Sequence, residues 1–156
     1  MKNRIGLDKK KAINLAVKLN DLLANYQIFY MNTRGFHWNI KGRDFFELHL
    51  KFEEHYDDLV IKVDEIAERI LTLEETPIHS FTEYLRISTI EELKNITKGE
   101  KAVKSLLETF RIIIIKQREI LNLAGEINDE GTGALMSDYI REQEKLVWMY
   151  SSFLED

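Results

Sequence analysis

His37, His49, Glu53, Asp64 and Glu68 are the side chains of this chain whose types and spacing could hold a metal ion. His49 and Glu53 lie four residues apart, and so do Asp64 and Glu68. Residues i and i+4 share one face of a helix, so each pair could point at one ion. His37, followed at once by Trp38, adds a third donor group. Imidazole with carboxylate suits iron, manganese or zinc. The chain has no cysteine, which excludes thiolate sites and disulfides.

The spacing makes a further demand. His49 and Asp64 are fifteen residues apart, roughly 22 Å along one straight helix, and no small metal site spans that. The rotation over those residues nevertheless leaves both on the same general side. Two antiparallel copies of this helix, related by a two-fold axis near Tyr56 and Asp57, would bring His49 of one beside Asp64 of the other, making two equal shared sites. Each would take His37, His49 and Glu53 from one chain and Asp64 and Glu68 from its partner. On spacing alone other readings stay open. His49 could be a core or interface histidine, and the two acids could be surface groups paired with Lys62 or Arg69. None of the histidines has a glutamate three residues before it, so the Glu-x-x-His pattern of a di-iron site inside one bundle is absent.

These side chains need long helices to position them. Asp8 is a good N-cap, and apolar residues follow at Ala12, Ala16, Leu19, Leu23, Tyr26 and Tyr30, continuing to Thr33. This first helix is expected to fade between Gly35 and Gly42. A second is expected from about Asp44, with Phe45, Phe52, Leu59, Ile66 and Leu73 in one heptad series and His49, Tyr56, Val63 and Ile70 in another. Pro77 is expected to end it. A short helical piece fits residues 81–87. A third long helix runs from about Lys98 to Ile127 through Leu106, Phe110, Ile113, Ile120 and Ala124. After a loop over Asn128–Gly133, a fourth carries Leu135, Tyr139, Leu146 and Tyr150 towards Phe153. Short connections make helices one and two antiparallel, and likewise three and four. The long segment between can return the chain along the bundle. The expected fold is all-α: one domain over residues 1–156, a ferritin-like four-helix bundle whose single long crossover carries a short helix.

Composition bounds the function. Of 156 residues, 44 % are hydrophobic and 31 % charged, and glycine (seven) and proline (one) are scarce, which favours helices. No stretch is apolar enough for a membrane span or reads as a secretory signal, so the expected location is the cytoplasm. A net charge of −5 argues against polyanion binding as the main activity. The local exception is Lys2, Arg4, Lys9, Lys10 and Lys11. The stretch before Asp8, residues 1–7, reads as a short flexible arm able to touch DNA only weakly.

The segments His37-Trp38-Asn39-Ile40-Lys41-Gly42, Phe45-Phe46-Glu47-Leu48-His49 and Phe52-Glu53 together resemble the first signature of the Dps proteins, the mini-ferritins. Val63-Asp64-Glu65-Ile66-Ala67-Glu68-Arg69-Ile70, with Pro77 beyond, resembles the second. The resemblance implies a hollow shell of twelve subunits. It also implies an iron-oxidation centre at the two-fold interface, with His37 and His49 from one subunit and Asp64, Glu68 and Glu53 across or beside it. Fe(II) would be the substrate, two irons per centre, oxidised with hydrogen peroxide in preference to oxygen and stored as ferric mineral. Trp38 and Tyr56 become candidate electron donors, with interface packing the plainer role for Tyr56. Asp129, Glu130 and Asp138 become candidates for the iron-entry pore, with a helix cap as the alternative for the first two. Two positions depart from the pattern: Glu74 stands where a small or turn-forming residue is usual, and Ala134 where many relatives carry a second acid. His55 and His79 match no ligand position and read as structural or solvated. The rival reading is a nucleoid-associated cage that binds DNA, with iron chemistry secondary.

Overall fold

A computed structural model describes residues 1–155. Its elements are α1 (Lys9–Asn39), α2 (Phe45–Thr72), α3 (Phe81–Ile87), α4 (Gly99–Glu126) and α5 (Glu130–Leu154). The Asp8 carboxylate accepts from Lys11 N at 3.0 Å and caps α1. Ile40 takes an extended conformation, and Gly42 turns the chain with φ of +112°. The returning α2 runs antiparallel to α1, since Arg4, just before α1, reaches Glu74, just after α2. The heptad positions Phe52, Leu59, Ile66 and Ile70 are all buried. They pack with Leu19, Leu23, Phe29 and Phe36 of α1 and with Leu106, Phe110 and Ile113 of α4. No helix among the described residues is long and apolar enough to cross a membrane.

Two helix ends differ from expectation. α2 stops before Pro77, because Glu74 takes the left-handed conformation at φ 70°. Its N–H reaches Leu71 O at 2.9 Å and the N–H of Glu75 reaches Ile70 O at 3.1 Å, the Schellman pattern that closes a helix. The departure at Glu74 therefore leaves the stop in place, at the cost of putting a non-glycine residue in the left-handed region. α4 ends the same way. Asn128 is left-handed at φ 59°, and Asp129 N bonds Ala124 O at 2.8 Å. Asp129 then caps α5 at once through Thr132 N. The expected loop over Asn128–Gly133 is thus shorter, and Gly131 and Gly133 lie inside the helix. A Cβ on Gly131 would sit 2.7 Å from the Arg69 guanidinium, so glycine here makes room for a cation.

The crossover is held by asparagines on α1. Asn20 bonds Thr76 O and accepts from Ile78 N. Asn25 accepts from the backbone of Thr89 and Ile90 and from the hydroxyl of Ser88. Asn32 bonds Glu91 O and accepts from Leu93 N. Lys41 N donates to Thr97 O at 2.8 Å and pins the α1–α2 turn to the start of α4. The N-terminal residues do not trail free as the sequence suggested. Asn3 exchanges backbone and side-chain hydrogen bonds with Leu7, Lys9 N donates to Met1 O, and Arg4 N donates to Glu74. The arm is a compact turn laid over the end of α2.

Candidate metal centre

His37 enters from the last turn of α1 and His49 from the first turns of α2, so the α1–α2 turn sets their meeting. The rings stack at 3.8 Å between centroids and 15° between planes. The Nδ1 of His37 lies 2.7 Å from the backbone oxygen of His49, and the Nδ1 of His49 lies 2.7 Å from that of His37. A carbonyl oxygen only accepts, so each Nδ1 must carry a proton. In the neutral form each imidazole is thereby fixed in the tautomer with a free lone pair on Nε2, the arrangement in which a histidine ligates a metal while its other nitrogen is anchored. Phe45 stacks on the far side of His49 at 4.9 Å. His37 is buried and His49 half-buried.

The carboxylates stand apart. Glu53 is half-buried one turn after His49, while Asp64 and Glu68 are exposed further along α2. Their neighbours Lys62 and Arg69 are engaged elsewhere: Lys62 with Asp58 and Glu142 at 2.8 Å each, Arg69 with Asp129 at 2.7 Å. The surface pairing considered for the two acids is therefore not what these cations do. Among the described residues of one subunit, no three histidines or carboxylates come together as a metal site. The structure brings the two histidines together and leaves Asp64 and Glu68 facing outward.

The aromatic candidates lie beside the histidines. Tyr56 packs edge-on to His37 at 5.3 Å and to Tyr30 at 5.9 Å. Desolvation, then the charges of Glu53 and Asp57, pushes its phenol above the ordinary value, so it stays protonated at neutral pH. Trp38 is 58 % exposed, with Arg34 over its ring. Sequence reasoning missed Arg34 and Tyr30. Their signal was the four-residue spacing Tyr30, Arg34, Trp38 along one face of α1.

Of the candidate pore residues, Asp129 is 4 % exposed and spent on capping Thr132 and binding Arg69. Its charge is neutralised inside the fold, as the helix-cap alternative has it. Glu130 is exposed at the first turn of α5, and Asp138 is exposed and paired with Arg141 at 3.1 Å. His55 is buried between Phe29 and Phe110 with neither ring nitrogen bonded. Burial, then the charges of Lys62 and Lys51, holds its pKa down at about 3. His79 is exposed, with its Nδ1 3.0 Å from Pro77 O.

A ferritin-like domain model matches residues 16–156. A Dps protein from Vibrio cholerae O1, a ferritin-like diiron-carboxylate protein, has a crystal structure that superposes with a TM-score of 0.97 at 58 % identity, covering 99 % of this chain and 97 % of that one. The chain belongs to the Dps family. An uncharacterized protein of Haemophilus influenzae is 54 % identical over 151 residues, 97 % of this chain and 94 % of that protein. The DNA protection during starvation protein of Porphyromonas gingivalis is 43 % identical over 148 residues, 95 % of this chain and 93 % of its own length. The mini-ferritin fold, with its long crossover and short helix, is the fold of this chain.

Proposed function

We propose that this Dps protein oxidises Fe(II) at centres shared between two-fold-related subunits and stores the ferric product inside a twelve-subunit shell in the cytoplasm. Membership of the family supports iron storage and the protection of DNA in general terms. The observation that carries the finer reading is the reciprocal bond between His37 and His49, which holds two parallel imidazoles with both Nε2 lone pairs free. Two such nitrogens, with no assembled group of three donors around them in one subunit, form half a centre. The exposed Asp64 and Glu68 supply the other half when a second α2 lies antiparallel to the first, with Glu53 beside the histidines. Carboxylates favour the ferric product over the ferrous substrate because their charge offsets the higher oxidation state.

Hydrogen peroxide is the proposed oxidant, with oxygen slower. Two Fe(II) each give one electron, the O–O bond breaks, and two protons complete two waters. No hydroxyl radical leaves the site, which is the benefit to nearby DNA. Trp38 and Tyr56 lie within reach as donors of a missing electron. Glu130 and Asp138 attract cations towards the shell, a task from which Asp129 is withdrawn by Arg69. Direct DNA binding is the weaker reading, because the chain carries a net charge of −5 and its N-terminal basic residues, though exposed, are few.

Stopped-flow mixing of the assembled protein with Fe(II) and peroxide, and separately with oxygen, tests this reading. Fast oxidation at about one peroxide per two Fe(II), with iron retained in the large species on a sizing column, is the expected result. Oxidation no faster than in buffer, with iron precipitating outside, would overturn it. A salt-dependent gel shift would then favour the DNA-binding cage.

A further inference from the structure

Tyr30, Arg34 and Trp38 succeed one another at one-turn intervals on α1, and the guanidinium of Arg34 lies against three oxidisable rings. Its carbon is 5.0 Å from the centre of Trp38, 5.2 Å from Tyr56 and 5.8 Å from Tyr30. One Nη donates to the Tyr30 hydroxyl, and Nε is buried with no acceptor. Tyr56 joins the cluster to the centre by packing against both Tyr30 and His37. One fixed cation thus stands at the hub of a ring path that ends on a candidate ligand.

That cation does not affect the rings equally. Taking an electron from an indole creates a ring cation, which the guanidinium opposes and which forfeits the cation–π attraction. A phenol can lose its proton with the electron and end neutral, so the same charge opposes it less. Tyr30 is further restrained because its oxygen already accepts from Arg34. Tyr56 is the phenol in direct contact with the centre, edge-on to the His37 ring at 5.3 Å. We propose that Arg34 is a positioning residue that steers one-electron oxidation at this centre away from Trp38 and onto Tyr56.

The inference rests on the reading that Fe(II) is oxidised at His37 and His49, and it matters when only one Fe(II) is bound. Peroxide then needs a second electron. Fe(II) and Tyr56 give one each, the O–O bond breaks, and the phenolic proton with one from solvent completes two waters. The products are Fe(III), a tyrosyl radical and water.

The test compares wild type, Arg34→Lys and Arg34→Gln as assembled shells, checked on a sizing column. Each is loaded with one Fe(II) per centre and mixed with peroxide. Electron paramagnetic resonance with ring-deuterated tyrosine identifies the radical, and peptide mass spectrometry locates the oxidised residue. In parallel, the iron-free shells meet azidyl radicals, each of which takes one electron and becomes azide. Trp148, 66 % exposed and outside the cluster, is the internal reference. Wild type and Arg34→Lys should show the tyrosyl signal and little product on Trp38. Arg34→Gln should raise Trp38 oxidation relative to Trp148 by at least about fivefold, the scale of losing a close charge beside a ring. An Arg34→Gln pattern equal to wild type overturns the proposal. So does an Arg34→Lys pattern equal to Arg34→Gln, which would mean that packing and not charge is at work. An Arg34-dependent shift with azidyl radicals but no radical on iron loading would uphold the steering and refute the iron reading.

Discussion

Tyr26, Gln117 and Gln143 form a closed triangle of hydrogen bonds in the middle of the bundle, whereas His37 and His49 near its end are closed on one side only. In the triangle the Tyr26 hydroxyl donates to Gln117, Gln117 donates to Gln143 at 2.7 Å, and Gln143 donates back to Tyr26 at 2.7 Å. Each side chain gives one bond and receives one, and all three are buried out of reach of any ligand. In the histidine pair each ring spends its Nδ1 proton on the other's backbone and keeps an Nε2 lone pair unspent. Both clusters are polar and both join distant parts of the chain. A closed, buried ring specifies packing, and a pair that keeps a lone pair turned away from its own bonds can take part in chemistry.

Separate losses should break that contrast cleanly. The largest effect is expected at the open cluster. His49→Ala or Asp64→Asn should cut the fast phase of Fe(II) oxidation by about 100-fold or more, since losing even a ligand's hydrogen-bonded partner costs about 10–100-fold, while the shell still elutes intact. A retained rate in stopped-flow would remove these residues from the centre. At the closed cluster the signs reverse. Gln117→Ala strands Tyr26 and Gln143 and should cost about 2 kcal/mol, lowering the calorimetric midpoint by roughly 4–8 °C. The oxidation rate per assembled shell should stay as in wild type.

A smaller effect is expected at His55, which sits between the two clusters with no partner at all. Its pKa is about 3 in the fold against 6.5 ordinarily, so the unfolded chain binds the extra proton. Stability is therefore fully present above pH 6.5 and is lost as the pH falls below it. The loss approaches about 1.4 kcal/mol per pH unit from this one group. His55→Phe should keep the fold and flatten that part of the acid slope in denaturant titrations. An unchanged slope would show that His55 is not neutral in the fold. The smallest effect is Glu74→Gly, which relieves a left-handed glutamate but loses the bond from Arg4 N. A net gain of about 0.5 kcal/mol is expected, and a destabilised protein would mean that the N-terminal turn matters more than the backbone strain.

Much of this was legible in the sequence because periodicity reports burial. Phe52, Leu59 and Ile66 repeat every seven residues and all are fully buried. The crossover and its short helix also stood where the pattern put them. What escaped notice was polar. Asn20, Asn25 and Asn32 look like solvent-facing residues of an amphipathic helix, yet they clamp the crossover through backbone groups that no periodicity marks. Gly131 and Gly133 looked like a loop because glycine disfavours helices, but contact with Arg69 outweighs propensity at the first. Pro77 looked like the stop of α2, while the left-handed turn at Glu74 had already closed it. In the candidate centre, spacing singled out the two histidines, and the structure brings their rings together. Their mutual hydrogen bonds could not be read from spacing, since a side chain reading another residue's main chain leaves no trace in residue type.

Those mutual bonds have a consequence for inheritance. Each ring is addressed to a backbone oxygen on the other helix, so the register of α1 against α2 is part of the site. Residues 40–44 between the helices set that register. A substitution within the stretch can be absorbed, but a single insertion or deletion would rotate one helix against the other and break both bonds together. Over generations the length of this turn should therefore be guarded as closely as the ligands, even where its letters drift. Counting residues between the two histidines is then a sharper mark of a working centre than the identity of anything that lies between them.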